Sequence, residues 1–259
     1  MTEVALADVT RYLDELLETA AVQDYPNAVN GLQLANGGRV ARIAAAVDFS
    51  AVTVASAIRE KAGLLLVHHG MFWAGLEPVR GVAYDRMKQA IENGLAVYSS
   101  HLPLDKHERF GNNVLLAAEL GLEPSAGFAR FQTIDIGVRG EADIATAELA
   151  SRAAAFASKH GGALRTTPIA SERRTRRWAI CTGGGASAET LREAAEQGID
   201  TLIVGEGAHW TAVHAADNNL VILYAGHYAT ETLGVRALAE HVADRFSLPW
   251  KFLSHPTGL

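Results

Sequence analysis

The 259-residue chain has a single cysteine, Cys181, which excludes an internal disulfide and any cluster of thiolate metal ligands. It has no apolar run approaching the roughly 20 residues that span a bilayer, and stretches such as Leu64-Leu65-Leu66-Val67 are only strand-sized, so no membrane association is expected. Positive charge is also in short supply. Lys and Arg total 23 against 29 Asp and Glu, a formal net charge of -6, so no global field recruits nucleic acid. The opening Met1-Thr2-Glu3-Val4-Ala5 lacks the basic segment, apolar segment and cleavage site of an export signal, and a cytoplasmic location is expected. What is present, a 49% hydrophobic share and 24 glycines, suits a compact enzyme-like protein with a full core.

Hydrophobic periodicity gives the order of elements. Val9, Leu13, Leu16 and Leu17 predict a helix over residues 6–19, followed by the polar loop Gln23-Asp24-Tyr25-Pro26-Asn27 and a turn at Asn30-Gly31 that enters a short strand. Strands are then expected at 43–47, 64–67 and 95–98, with intervening helices at 50–61, capped by Ser50, and 82–93, closed by Gly94. A second series repeats this order: strand 178–182, helix 186–197, strand 201–204, helix 209–217 and strand 220–225. Between the two lie a strand at 131–138, an alanine-rich helix at 142–159 and a strand at 163–167; a helix at 233–246 and a strand at 250–253 close the chain. The fold class expected is α/β, with two similar strand-helix-strand units forming mixed or parallel sheet layers around a dinuclear metal crevice. The expected division is a first half (1–122), a short α+β middle segment (123–177) and a second half (178–259). Arg173, Arg174, Arg176 and Arg177 fall in the loop at 171–177, either a solvated connection or a phosphate or subunit contact.

Three of the strand-like runs end in residues suited to metal chemistry. His68-His69 follows Leu64–Val67 and precedes Gly70, whereas His101 and His227 are each followed four residues later by a carboxylate, Asp105 and Glu231. Imidazole and carboxylate together favour Zn, Mn, Fe or Co over the all-oxygen cages of Ca and Mg. A lone buried histidine is more often a hydrogen-bonded core residue, but three such strand ends weaken that reading. Neighbouring side chains on a strand point to opposite faces, so His68 and His69 share one site only where the strand ends and turns, or each serves a different ion. Spacing of four puts His101 with Asp105, and His227 with Glu231, on one face of a helical turn; Pro103 suits the start of such a turn.

Taken together, Asn30-Gly31-Leu32-Gln33, Val67-His68-His69-Gly70 with Phe72-Trp73, His101-Leu102-Pro103-Leu104-Asp105, Gly111-Asn112-Asn113, Cys181-Thr182-Gly183-Gly184-Gly185, Gly205-Glu206 and Gly226-His227-Tyr228-Ala229-Thr230-Glu231 closely resemble the NGG-interacting-factor-three-like family. Members of that family are widely described as type 2 GTP cyclohydrolase I homologs. The resemblance implies a dinuclear centre of two divalent ions (Zn, Fe, Mn or Co) held by His68, His69, Asp105, His227 and Glu231, in a toroidal homohexamer. The 123–177 segment is the short version of the family's middle region.

Several residues keep two readings. His101 is a sixth ligand or a base beside the metal-activated water, or it supports Asp105 through a hydrogen bond. Glu206 is a proton shuttle or a structural hydrogen-bond partner. Gly183-Gly184-Gly185 lets backbone N–H groups approach a phosphate or forms a tight turn. Trp73 stacks on a base or packs beside the strand. The functional expectation is a dinuclear metal-dependent hydrolase acting on a nucleotide or related heterocycle. The rival is a metal carrier or ring-shaped scaffold without turnover, with nucleic-acid contact through the 173–177 arginines as a further possibility.

Overall fold

The computed structural model describes residues 3–75 and 77–259; Met1 and Thr2, part of the N-terminal reading above, lie outside the described residues. In chain order the elements are β1 (Val4–Ala5), α1 (Leu6–Leu16), β2 (Gly31–Leu34), β3 (Arg39–Val40), β4 (Ile43–Asp48), α2 (Ala51–Arg59), β5 (Leu64–His69), α3 (Val82–Glu92), β6 (Ala96–Ser99) and α4 (Leu102–Asp105). They continue as α5 (Asn112–Glu119), β7 (Ala126–Phe131), β8 (Ile134–Ala145), α6 (Thr146–Lys159), β9 (Arg165–Thr166), β10 (Arg174–Cys181), α7 (Ala188–Glu196), β11 (Thr201–Val204), α8 (His209–Asp217), β12 (Val221–Tyr224), α9 (His227–Phe246) and β13 (Trp250–Phe252). The fold is mixed α/β, as the alternating periodicity predicts. The chain forms two compact units, residues 1–107 with 234–255 and residues 108–233 with 256–259. Among the described residues no helix is long and apolar enough to cross a membrane.

The first unit is built on the sheet β13-β4-β5-β6-β2, with β13, β4, β5 and β6 parallel and β2 antiparallel to β6. Its central strands are buried on both faces. Ala44, Ala46, Leu65, Val67 and Val97 pack with Val54 and Ala57 of α2 and Ala90 of α3, while the alternate residues Ile43, Ala45, Leu64, Leu66 and Ala96 are equally inaccessible. Ser50 caps α2 through a reciprocal capping box with Thr53, which fixes where the chain leaves β4. Register pairs Asp48 with His69 and Val67 with Ser99, so these strands end together and deliver Asp48, His68, His69, Ser100 and His101 to one edge.

The second unit is built on β7-β8-β10-β11-β12-β9, whose core β10-β11-β12 is parallel and whose remaining strands pair antiparallel. Alternation sorts its residues onto two cores. Trp178, Ile180, Ile203 and Leu223 pack with Leu116, Leu149 and Phe156 of α5 and α6, whereas Ala179, Cys181, Leu202, Val204 and Ile222 pack with Leu191, Ala194 and Ala215 of α7 and α8.

Four expectations about local structure are corrected. The strand expected at 131–138 is a hairpin, β7 and β8, joined by Gln132-Thr133 with Gln132 at φ 51°. Ala142–Ala145 belongs to β8 rather than to the following helix, because Ile144 and Ala145 pair with Thr175 and Arg174 of β10. The segment holding Arg174, Arg176 and Arg177 is strand, not loop, and Arg173 lies just before it. These arginines meet partners within the unit: Arg174 and Arg176 face Asp143, Arg177 faces Glu141, and Arg173 bonds Asn219 and the Asp200 carbonyl. Finally, the closing helix starts at His227, six residues before the predicted 233, so His227 and Glu231 both lie on its opening turns.

Candidate functional site

In the first unit, the ends of β5 and β6 gather His68, His69 and His101, whose ligand atoms lie within 4.8 Å of one another and whose side chains are all buried. Their ring centroids are 4.8 Å apart for His68 and His69, and 4.9 Å for His68 and His101. The strand runs through both histidines and stops at Gly70, where a side chain would collide with Gln33. Gln33 in turn accepts from the Met71 N–H and donates to the carbonyls of Ala28 and Val29, which ties the turn after the histidines to the 28–33 segment.

Each of these imidazoles is oriented through Nδ1. His68 donates to the Ser100 carbonyl at 2.9 Å, His69 to Asp48 Oδ1 at 2.9 Å, and His101 to Asp24 Oδ1 at 2.9 Å. An acceptor at Nδ1 fixes the proton there and leaves the Nε2 lone pair for another partner, the arrangement usual behind metal-bound histidine. His68 Nε2 points toward Asp105 Oδ2, 3.5 Å away. Asp105 is the last residue of α4, which begins with His101 as N-cap and Pro103 in its first turn. Asp24 also accepts from the Leu102 N–H and from Asn30 Nδ2, while Asn30 Oδ1 accepts from the His101 N–H. Burial by itself would raise the Asp24 carboxyl, but the hydrogen bond and charge of His101, with Asn30 and the Leu102 N–H, outweigh it and hold the group below its ordinary range. Trp73 stands against this cluster, its ring centroid 4.4 Å from that of His101 and 4.7 Å from that of His69.

In the second unit, His227 and Glu231 share one face of α9, with Nε2 and Oε2 3.2 Å apart. His227 Nδ1 donates to Glu206 Oε1 at 2.9 Å, so Glu206 at the end of β11 does for His227 what Asp48 does for His69. Burial works against protonation of His227, yet Glu231 first and Glu206 second push its pKa up to about 9. Gly183-Gly184-Gly185 bends so as to make room for the carboxylate: Gly183 has φ 60°, and a side chain there would strike Glu231. The Gly183 N–H already donates to Thr230 Oγ1, and a side chain added at Gly184 would reach the His227 ring edge at 4.0 Å.

The two histidine-carboxylate phrases are out of step. His101 is the second residue beyond β6 and caps α4, whereas His227 is the third beyond β12 and opens α9. His101 Nδ1 meets Asp24, whereas His227 meets Glu206 through Nδ1 and its own Glu231 through Nε2.

Sequence reasoning did not single out Asp24 or Asp48. Asp48 is one residue beyond the predicted strand and in register with His69, so the period-two pattern extended by one residue would have reached it. Asp24 sits in a loop 77 positions from His101, and only the polar character of that loop hinted at it. With imidazole Nε2 atoms and carboxylate oxygens converging in each unit, the buried histidine and glutamate groups could hold a metal ion.

Comparison with known proteins identifies relatives of the whole chain. Over 264 residues the chain is 37% identical to a Deinococcus radiodurans protein named GTP cyclohydrolase 1 type 2 homolog, covering 99% of this chain and 95% of that one. It is 41% identical over 267 residues to a Halobacterium salinarum protein of the same name, covering 98% and 99%. Among solved structures it superimposes on ybgI, a protein of unknown function, with TM-score 0.88 at 33% identity, covering 99% of this chain and 100% of that one. TTHA1606 from Thermus thermophilus gives TM-score 0.82 at 32% identity, again covering 99% and 100%. The pattern of the Duf34/NIF3 (NGG1p interacting factor 3) family matches residues 4–257, and the chain belongs to that family.

Proposed function

We propose that this protein is a metal-dependent hydrolase acting on a nucleotide or related heterocycle, with His68, His69, Asp105, His227 and Glu231 as ligands of two divalent ions. The observation that carries the reading is the common orientation of the four histidines. Each gives its Nδ1 proton to a carboxylate or carbonyl, which leaves Nε2 of His68, His69 and His101 for another partner and aims Nε2 of His227 at Glu231, where an ion would displace its proton. The donor set of neutral imidazole and ionised carboxylate fits Zn, Fe, Mn or Co. When bound, such ions supply Lewis acidity and activate water near neutral pH.

The remaining chemistry falls to side chains of this chain. His101 Nε2 takes the proton from the attacking water, and Asp24, already on Nδ1, stabilises the imidazolium that results. Trp73 presses on His69 and His101 and shields that proton transfer from bulk solvent. Glu206 holds His227 in register. The names of the relatives, GTP cyclohydrolase 1 type 2 homolog, support a purine-nucleotide-like substrate, and the family resemblance supports a toroidal homohexamer.

The test is a nucleotide hydrolysis screen on metal-loaded protein beside His227→Ala and His101→Ala. Hydrolysis should vanish with metal occupancy in the first variant, and fall about 100-fold with occupancy retained in the second. Full turnover by metal-free His227→Ala contradicts the reading. Transfer of metal to an acceptor with no substrate turned over would instead identify a carrier.

A further inference from the structure

A cavity of about 400 Å³ opens in the second unit along the ends of β11 and β12, lined by Arg165, Glu206, His209 and Tyr224 and by bare backbone at Gly205 and Gly207. Its size lies in the range that takes a small ligand. One wall is Glu206, whose carboxylate is a single 2.9 Å hydrogen bond from His227, so a ligand in the cavity lies next to the proposed metal ligands of this unit.

Charge distinguishes this cavity. Arg173, Arg174, Arg176 and Arg177 all have partners within the unit, whereas among the described residues no hydrogen bond or ion pair engages the guanidinium of Arg165, on β9, or the imidazole of His209. An arginine left unpaired beside a cavity is a ready bidentate partner for a phosphate, and an imidazole can add a further donor. Tyr224 and the backbone of Gly205 and Gly207 add an aromatic ring and uncharged wall to the lining. The Tyr224 hydroxyl is held by Thr211 Oγ1 at 2.7 Å, which fixes the ring. Gly207 packs its backbone tightly here, since a side chain there would drive into Ala186, Thr211 and Tyr224.

We propose that this cavity is the recognition subsite for a phosphorylated nucleoside, with Arg165 and His209 holding the phosphate and the planar base lying along Tyr224 and the glycine backbone. The proposal deepens the hydrolase reading and rests on it for the chemistry at the Glu206 end, but phosphate recognition by Arg165 is separately measurable. Arg165 is exposed on a two-residue edge strand, so its replacement leaves both cores intact.

The experiment is calorimetric titration of the full-length protein with guanosine monophosphate, guanosine and ribose 5-phosphate, with metal content measured on the same samples. The native protein should bind the nucleotide about 10-fold more tightly than either fragment, and the advantage over guanosine should shrink with added salt. Arg165→Ala should bring the nucleotide to the level of guanosine without changing guanosine binding or metal content, and Arg165→Lys should restore part of the difference. Equal binding of nucleotide and nucleoside by the native protein overturns the proposal, as does an Arg165→Ala variant that keeps the gap. Ribose 5-phosphate binding as tightly as the nucleotide removes the base from the assignment and overturns it in that respect. A protein that takes up no divalent metal, yet loses its phosphate preference on Arg165→Ala, upholds the subsite while contradicting the hydrolase reading.

Discussion

The carboxylate of Glu231 lies so close to the backbone of Gly183 that no side chain fits between them. Gly183 also adopts φ 60°, where L side chains are strained, so this position needs glycine for two separate reasons. Gly183→Ala should push Glu231 off its position, destabilise the protein by about 1–3 kcal/mol and lower its metal content. Thermal unfolding and metal analysis check both effects. Unchanged occupancy would mean that the position of Glu231 does not matter to metal binding.

Asp48 and Glu206 act at one remove, through the Nδ1 atoms of His69 and His227. Asp48→Ala and Glu206→Ala should each weaken metal binding by about 10- to 100-fold with little loss of stability, because both carboxylates are partly exposed at strand ends. Competition with a chromogenic chelator measures the change. Asp48→Asn should lose less than Asp48→Ala, since the amide oxygen still accepts the Nδ1 proton but carries no charge.

The raised pKa of His227 sets the pH behaviour of the metal-free protein. In the unfolded chain this histidine titrates near 6.5, and in the fold near 9, because Glu231 and Glu206 outweigh the cost of burial. The charged form is therefore favoured by folding. That contribution, on the order of 3 kcal/mol at most, is fully present below pH 6.5 and is lost as pH rises through 9. Melting temperatures of chelator-treated protein should fall across this window, and His227→Gln should flatten the fall. Metal binding runs the opposite way, since the ion must displace the proton; apparent affinity should climb up to about tenfold per pH unit until pH 9.

Much of this architecture was legible in the residues. Apolar runs with polar ends marked β4, β5, β6, β11 and β12, and the histidines and carboxylates at those ends marked the candidate ligands. The failures have local causes. The β7–β8 hairpin turns on Gln132-Thr133, without the Asn-Gly or Asp-Gly that usually announces such a turn. The start of β10 reads as a charged loop because a register shift between Thr175 and Arg177 breaks the period-two alternation, leaving Arg176 and Arg177 both outward while Thr175 and Trp178 are buried. Alanines 142 and 145 favour helix in isolation, and pairing with β10 overrides that preference. The partners of the histidines were the least visible, because a hydrogen bond between Asp24 and His101 across 77 positions leaves no periodic trace.

Ser50→Ala offers a control that separates fold from site. Loss of the reciprocal box with Thr53 should cost about 1 kcal/mol of stability, and chelator competition should find metal affinity unchanged.

The central claim is that His68, His69, Asp105, His227 and Glu231 bind metal. Its most direct test is elemental analysis of protein purified without chelators, native beside His68→Ala and His227→Ala, each reloaded with Zn, Fe, Mn and Co. The account predicts retained stoichiometric divalent metal in the native protein and a clear loss in both variants while they remain folded. Native protein that retains none of the four metals, or folded variants that retain as much as the native, would contradict it.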